Sequence, residues 1–305
     1  MTQSIINLQN TPEIAGVSSR PVSFDNNGVE LKGVLFTPAD ASQGLPGAIV
    51  TGAWTTVKEQ MPGTYARELA ARGMAALAFD FSGWGESAGS PRYVEDPATK
   101  TADIHAAVSF MASLEEVDAD NIVGVGVCAS SGYMTDAVAD NDQLQRVALI
   151  APWLHDPAMA EEIYGGHDVA MGLIAASESN DAAETVLLGA SATDETSVMY
   201  QAPYYTETHR GLIAEYDNNF SLLSRKPWLT YDALASADRL AKLMLMVSSP
   251  AIALPAGAAA YEARMTAPLE KVWLGDDVTQ FDFYDRADVV QAAADAVARF
   301  VESQA

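Results

Sequence analysis

The chain has 305 residues, 49% of them hydrophobic, enough for one large domain or one domain carrying an insertion. Charged residues make up only 19%, yet the net charge is −24, and a surface of unbalanced carboxylates repels nucleic acid and anionic membranes. One cysteine excludes an intramolecular disulfide and fits a reducing compartment.

The N-terminal stretch MTQSIINLQNTPEIAG has neither a basic region nor an apolar run of the signal-peptide kind. No apolar run reaches the roughly 18 residues that a membrane helix needs. The expectation is a soluble cytoplasmic protein without a membrane partner. Residues 1–20 are polar and aperiodic and read as an arm, one that would pack on a neighbouring subunit of a homodimer.

Pro21–Asp25 and Val29–Phe36 flank Asn26-Asn27-Gly28, a hairpin signature with a turn that accepts positive φ. Ala48–Thr51 reads as a short buried strand. Val57–Arg72 reads as a helix closed by Gly73, Ala75–Asp80 as a strand and Pro97–Leu114 as a helix. The alternation continues with a strand at Ile122–Val127, a helix at Ser131–Ala139 and a strand at Arg146–Ala151. This βαβ rhythm predicts a mostly parallel sheet covered on both faces. It breaks at Pro152. Residues 156–238 show no convincing strand and are rich in aromatics, among them Tyr164, Tyr204, Tyr205 and Trp228. Strands resume at Leu243–Val247 and Lys271–Leu274, with helices near Pro255–Met265 and Ala287–Val301. The predicted organisation is a core of residues 21–155 and 239–305 with a helical cap, 156–238, over the active end of the sheet.

The segment Asn121-Ile-Val-Gly-Val-Gly-Val-Cys-Ala-Ser-Ser-Gly-Tyr133 carries the chemistry. A buried strand ends in small residues and runs directly into a helix. Gly126-Val127-Cys128-Ala129-Ser130 has the form of a nucleophile elbow, where small neighbours are needed because the nucleophile sits on a strained turn. A second register centres the elbow on Ser130. Counting from the strand start at Ile122 favours Cys128. A sulfur at a helix N-terminus is favoured as thiolate, so a thiol value below the usual 8.5 or so is expected.

These residues resemble the α/β-hydrolase superfamily, in particular its dienelactone hydrolase and CocE/YcjY-like branch. Also carrying the resemblance are Thr51-Gly-Ala-Trp54, Val57-Lys-Glu-Gln60, Ala78-Phe-Asp-Phe-Ser-Gly-Trp-Gly-Glu-Ser87 and Phe281-Asp-Phe-Tyr-Asp285, and it covers roughly residues 20–303. The resemblance implies an α/β-hydrolase fold with an eight-stranded sheet, and dienelactone hydrolases use a cysteine nucleophile. It also implies an oxyanion hole from the N–H of Ala129 and one N–H of the Thr51–Trp54 loop, with Ala53 the first candidate and Trp54 the next. Glu59 and Gln60 follow on that loop. A carboxylate there would oppose thiolate formation.

The sequence departs from the family at the rest of the triad. Gln280 stands where the histidine falls, and Ser248-Ser249-Pro250 follows the strand that should end near the acid. Of the four histidines, His155 lies at the same sheet edge as Cys128 and is the candidate base, with Asp156 beside it; His105, His167 and His209 read as structural. No spacing suits a metal, and the glycines of Gly83–Gly89 do not form a nucleotide loop, so no cofactor is expected. The expected substrate is a small, largely apolar or aromatic ester, thioester or lactone, contacted by Trp54, Trp153, Tyr164 and Tyr204. The alternative is a non-hydrolytic member that performs acyl transfer, cyclisation or another carbonyl reaction, or that binds a ligand.

Overall fold

The computed structural model describes residues 4–8, 13–40 and 43–303. Strands β1 (Val17–Asn26) and β2 (Val29–Pro38) form the expected hairpin. Asn27 and Gly28 both take positive φ, 51° and 91°, as a two-residue turn that follows the strand twist requires. After β3 (Leu45–Thr51) come α1 (Met61–Ala70), β4 (Ala75–Phe79), α2 (Pro97–Ala112), β5 (Val117–Val127), α3 (Ser130–Asp140) and β6 (Leu144–Ile150). Helix α1 starts four residues later than the periodicity predicts, because the Gln60 side chain accepts from the Val57 N–H and closes a turn there.

Between β6 and the next core strand the chain forms α4 (Pro157–Ile163), α5 (His167–Ser177), β7 (Val186–Leu188), β8 (Ala190–Ser191), β9 (Met199–Tyr200), α6 (Pro203–Thr206), β10 (Asn219–Ser221) and α7 (Arg225–Leu229). The insertion is therefore not strand-free. β7 pairs with β10 and β8 with β9, but strands of two or three residues are too short for alternation to show. The core resumes with β11 (Leu243–Ser248), α8 (Pro255–Arg264), β12 (Leu269–Trp273), α9 (Asp282–Asp285) and α10 (Ala287–Glu302).

The eight-stranded sheet runs β1-β2-β4-β3-β5-β6-β11-β12. β2 opposes both its neighbours, and from β4 to β12 every pairing is parallel. The chain moves one way along the sheet from β3 to β4 and the other way from β4 to β5. Right-handed crossovers then place α1 and α2 on opposite faces, and the carboxyl ends of β3 and β5 flank the switch point where such folds bind ligands. α1 packs with α10, and α2 with α3. β4 is buried throughout and β5 from Ile122 to Val127, as a doubly covered parallel sheet demands.

The described part of the expected arm folds back on its own chain. The Ile6 N–H donates to the Asp285 carbonyl, and the Ala287 N–H to that of Ser4. Residues 17–20 belong to β1. Residues 1–3 and 9–12 lie outside the described residues. Among the described residues no helix is long and apolar enough to cross a membrane.

Candidate active site

At the end of β5 the backbone turns sharply into α3, and Cys128 takes φ 58°. A non-glycine residue with positive φ is strained, and the surrounding bonds hold it there. Its N–H donates to the Ile150 carbonyl, and its carbonyl accepts from the N–H groups of Ser131 and Trp153. The small residues before it are a packing necessity. A Cβ on Gly126 would lie 2.9 Å from the Ser131 Cα, and one on Gly124 would lie 2.4 Å from the Met134 sulfur. Ser130 turns away into the elbow: its hydroxyl donates to the Val127 carbonyl and accepts from the Val127 N–H, both at 3.1 Å. It is fully buried and does not line the cavity above the elbow, so the geometry favours Cys128 over Ser130 as the reactive position.

That cavity has a volume of about 560 Å³. Its floor is Cys128 and Ala129, and its walls include Trp54, Trp153, Tyr164, Tyr205, Trp228, Gln280 and Tyr284. Trp54, Trp153 and Tyr164 thus line the cavity that contains Cys128. Tyr204 does not: it is fully buried behind the wall, with its ring against Tyr205 and Tyr284 at 5.2 and 5.1 Å between centroids. A larger groove of about 720 Å³, around Asn26, Ser90, Asp96 and Lys226, shares no lining residue with this cavity.

The backbone N–H groups of Ala129 and Trp54 act on the Cys128 thiol and favour its charged form. The N–H group of this loop that acts on the thiol thus belongs to Trp54, the residue after Ala53. The Ala53 carbonyl accepts from the Thr56 N–H and hydroxyl, closing a tight turn that carries the next residue over the elbow. Gly52 is required in this turn, since a Cβ there would meet the Thr56 hydroxyl at 2.4 Å.

The expected low thiol value does not hold. Burial pushes the Cys128 thiol up to about 11. The hydrogen bonds from Tyr284, Ala129 and Trp54 pull it down by less, and the Glu95 carboxylate adds a further upward push. A helix N-terminus lowers a thiol only where desolvation does not exceed it.

His155 is not placed to act as base. The Trp153 indole N–H can only donate, so His155 Nδ1 accepts from it at 3.1 Å, and Nε2 then carries the proton and donates to the Trp228 carbonyl at 3.0 Å. Both nitrogens are occupied, the ring is buried against Trp228, burial lowers its proton affinity, and it does not line the cavity. His105 bonds to Asn141 and His167 to Glu161, and His209 sits beside Glu207.

Gln280 does reach the site. Its Nε2 donates to the Ala151 carbonyl and to the Tyr284 hydroxyl, each at 3.0 Å, and its Oε1 accepts from the Ala253 N–H at 2.9 Å. Both donors and one of the two acceptor positions of the amide are used in holding position, and an amide takes no proton at neutral pH. Tyr284 is the residue that sequence reasoning missed. Its hydroxyl acts on the Cys128 thiol and favours its charged form, and burial holds its own proton well beyond the usual tyrosine range. The available signal was spacing, since Tyr284 follows Gln280 by four residues, one helical turn.

The nearest buried carboxylate, Glu95, is engaged by the Lys100 ammonium at 2.6 Å and the Tyr133 hydroxyl at 2.7 Å. Glu59 pairs with Lys58 outside the cavity. Among the described residues no group of three or more His, Cys, Asp or Glu side chains is arranged to hold a metal ion. The site thus brings together a thiol, two backbone N–H groups and a hydroxyl, and among the described residues no imidazole or carboxylate lines the cavity with them.

Sheet order, elbow and cavity together define an α/β-hydrolase-fold protein. The solved structure of the hypothetical protein PA2218 from Pseudomonas aeruginosa superposes with a TM-score of 0.84 over 99% of this chain and 98% of that chain, at 24% identity. In sequence, PA2218 is 39% identical over 138 residues, which is 45% of this chain and 37% of PA2218. YcjY of Escherichia coli K12 is 33% identical over 135 residues, 43% of this chain and 44% of YcjY. A thiohydrolase of Eupenicillium brefeldianum is 31% identical over 126 residues, 41% of this chain and 40% of that protein. The chain spans about two fifths of the length of these curated relatives. No family model matches it. The sequence likeness to PA2218 and YcjY covers less than half of this chain.

Proposed function

We propose that this protein acts on the carbonyl of an ester, thioester or lactone, with Cys128 as nucleophile and the N–H groups of Trp54 and Ala129 holding the oxyanion. The observation that carries the reading is the strained Cys128 turn, which presents the sulfur to the cavity floor beneath both donors. The walls are mainly aromatic, so the substrate is a small, largely apolar or aromatic molecule. Residues 156–238 act as the cap over the core of 21–155 and 239–305, contributing Tyr164, Tyr205 and Trp228 to the walls. The likeness to a protein named thiohydrolase supports thioesters within this class.

A second reading, acyl transfer without efficient hydrolysis, is favoured by Gln280. Water attacking an acyl-cysteine needs a base, and the Gln280 amide, which takes no proton at neutral pH, supplies none. The test is a panel of aryl esters and thioesters, followed by intact mass spectrometry and steady-state turnover. An acyl adduct on Cys128 that turns over supports hydrolysis, and one that accumulates until an acceptor thiol or amine is added supports transfer. Cys128→Ser should lose at least about 100-fold of adduct formation, because a hydroxyl without a base is a poor nucleophile. Full activity in that variant would remove Cys128 from the chemistry.

A further inference from the structure

We propose that the Tyr284 hydroxyl is the proton carrier of this site, and that it confines the acyl donor to thioesters and aryl esters. This rests on the reading of Cys128 as nucleophile. Tyr164, Tyr205 and Tyr284 line the cavity with Cys128, and of these three hydroxyls that of Tyr284 is the one that acts directly on the thiol. The Tyr205 hydroxyl donates to the Trp54 carbonyl, and Tyr164 lies under the Arg225 guanidinium. Gln280 Nε2 donates to the Tyr284 oxygen, so one lone pair is occupied and the hydroxyl is held in place. The residue itself lines the cavity together with Cys128. His155 and Glu95, two other buried proton acceptors, are engaged elsewhere.

With a thioester donor bound, the Tyr284 O–H turns from the sulfur to the departing sulfur of the donor. The lone pair it exposes takes the Cys128 proton. The bond formed joins Cys128 Sγ to the acyl carbon, the bond broken is the donor's acyl carbon–sulfur bond, and the donor leaves as a neutral thiol. No electrons are exchanged with an outside reagent. Burial keeps the hydroxyl protonated, so it starts each cycle with a proton to give.

The restriction on the donor follows from acidity. A tyrosine is a weak acid, so proton transfer lags behind bond breaking and the tetrahedral intermediate expels its less basic group. Against an alkyl ester that group is the Cys128 thiolate, and the attack reverses. Against a thioester or aryl ester the donor's group leaves at least as readily.

The test uses three benzoyl donors, S-phenyl thiobenzoate, phenyl benzoate and ethyl benzoate, with the adduct on Cys128 followed by intact mass. The wild type should be acylated by the first two and at least about 1,000-fold more slowly by the third. Tyr284→Phe should slow acylation by the first two about 100-fold, with the dissociation constant of unreactive benzanilide unchanged. Ethyl benzoate reacting within tenfold of the thioester would overturn the proposal, as would wild-type rates in Tyr284→Phe. If that variant melts early, the leaving-group comparison in the wild type decides alone. No adduct from any donor would defeat the underlying reading of Cys128, an outcome distinct from both.

Discussion

At position 280 stands an amide, which carries no positive charge to oppose the effect of burial on the Cys128 thiol. With burial pushing Cys128 up to about 11, the thiolate is scarce at neutral pH. A thiol alkylates only as thiolate, so the rate of iodoacetamide labelling should rise about tenfold per pH unit from 7 to 10 and level off near 11. A midpoint below 9 would contradict this account. Gln280→His places a protonatable ring beside the sulfur, and a positive charge there favours the thiolate. The labelling midpoint should fall by at least about one unit and the rate at pH 7.5 should rise about tenfold. At this scale the sequence was informative where a local pattern decides. The elbow, Gly126 to Ser130, needs only its neighbours to be recognised. His155 was misread because a place at the right sheet edge says nothing of where the ring nitrogens point. Ala53 was one residue off because the turn closed by Thr56 shifts the donor. Tyr284 showed only in its spacing from Gln280, because its place in one cavity with Cys128 joins residues far apart in the chain.

The loop after β3 carries the proposed oxyanion donor Trp54, and a buried ion pair fixes the segment that follows it. The Lys58 ammonium meets Asp80 at 2.8 Å, Glu59 at 2.7 Å and Glu86 at 2.7 Å. Asp80 also accepts from the backbone N–H of Lys58 at 2.7 Å and of Glu86 at 3.0 Å. One fully buried carboxylate therefore ties the Val57–Gln60 segment to the turn after β4, which gives a physical reason for the two motifs to occur together. Lys58→Met should cost about 3–5 kcal/mol, because it leaves Asp80 buried without its counter-charge. Adding Asp80→Asn should recover part of that loss, and urea unfolding of the single and double variants measures both. A single variant as stable as the wild type would show that the pair does not anchor the loop. Elements were legible in proportion to their length. The hairpin and the α2, β5 and α3 segments show their periodicity, whereas Val57–Gln60 looked helical because its apolar spacing matches a helix and the side-chain bond from Gln60 that closes a turn instead does not show in sequence. The two small sheets of the insertion have too few residues to carry a pattern.

The whole molecule carries 41 acidic and 17 basic side chains, and this imbalance acts on stability rather than on topology. The βαβ alternation announced a parallel sheet, but the reversal of direction at β4 that builds the switch point is a property of strand order, which alternation alone does not encode. Charge was legible in number and not in arrangement. In the structure Lys58–Asp80, Lys100–Glu95 and Arg210–Asp285 are largely shielded from solvent, whereas most other ion pairs are exposed. Salt weakens exposed pairs, each worth about 1 kcal/mol or less. It also screens the mutual repulsion of the surplus carboxylates, whose range shrinks from about 20 Å near 20 mM salt to about 4 Å near 0.5 M. With an excess of 24 negative charges the repulsion term is the larger. Raising sodium chloride across that range at pH 7 should therefore raise the melting temperature, by about 3–6 °C for a domain of this size. The buried pairs lie out of reach of the added ions and do not offset the gain. Calorimetry in chloride, with an uncharged osmolyte as the control for general exclusion effects, measures this. A melting temperature that stays level or falls with salt would mean that the exposed ion pairs outweigh the surplus charge.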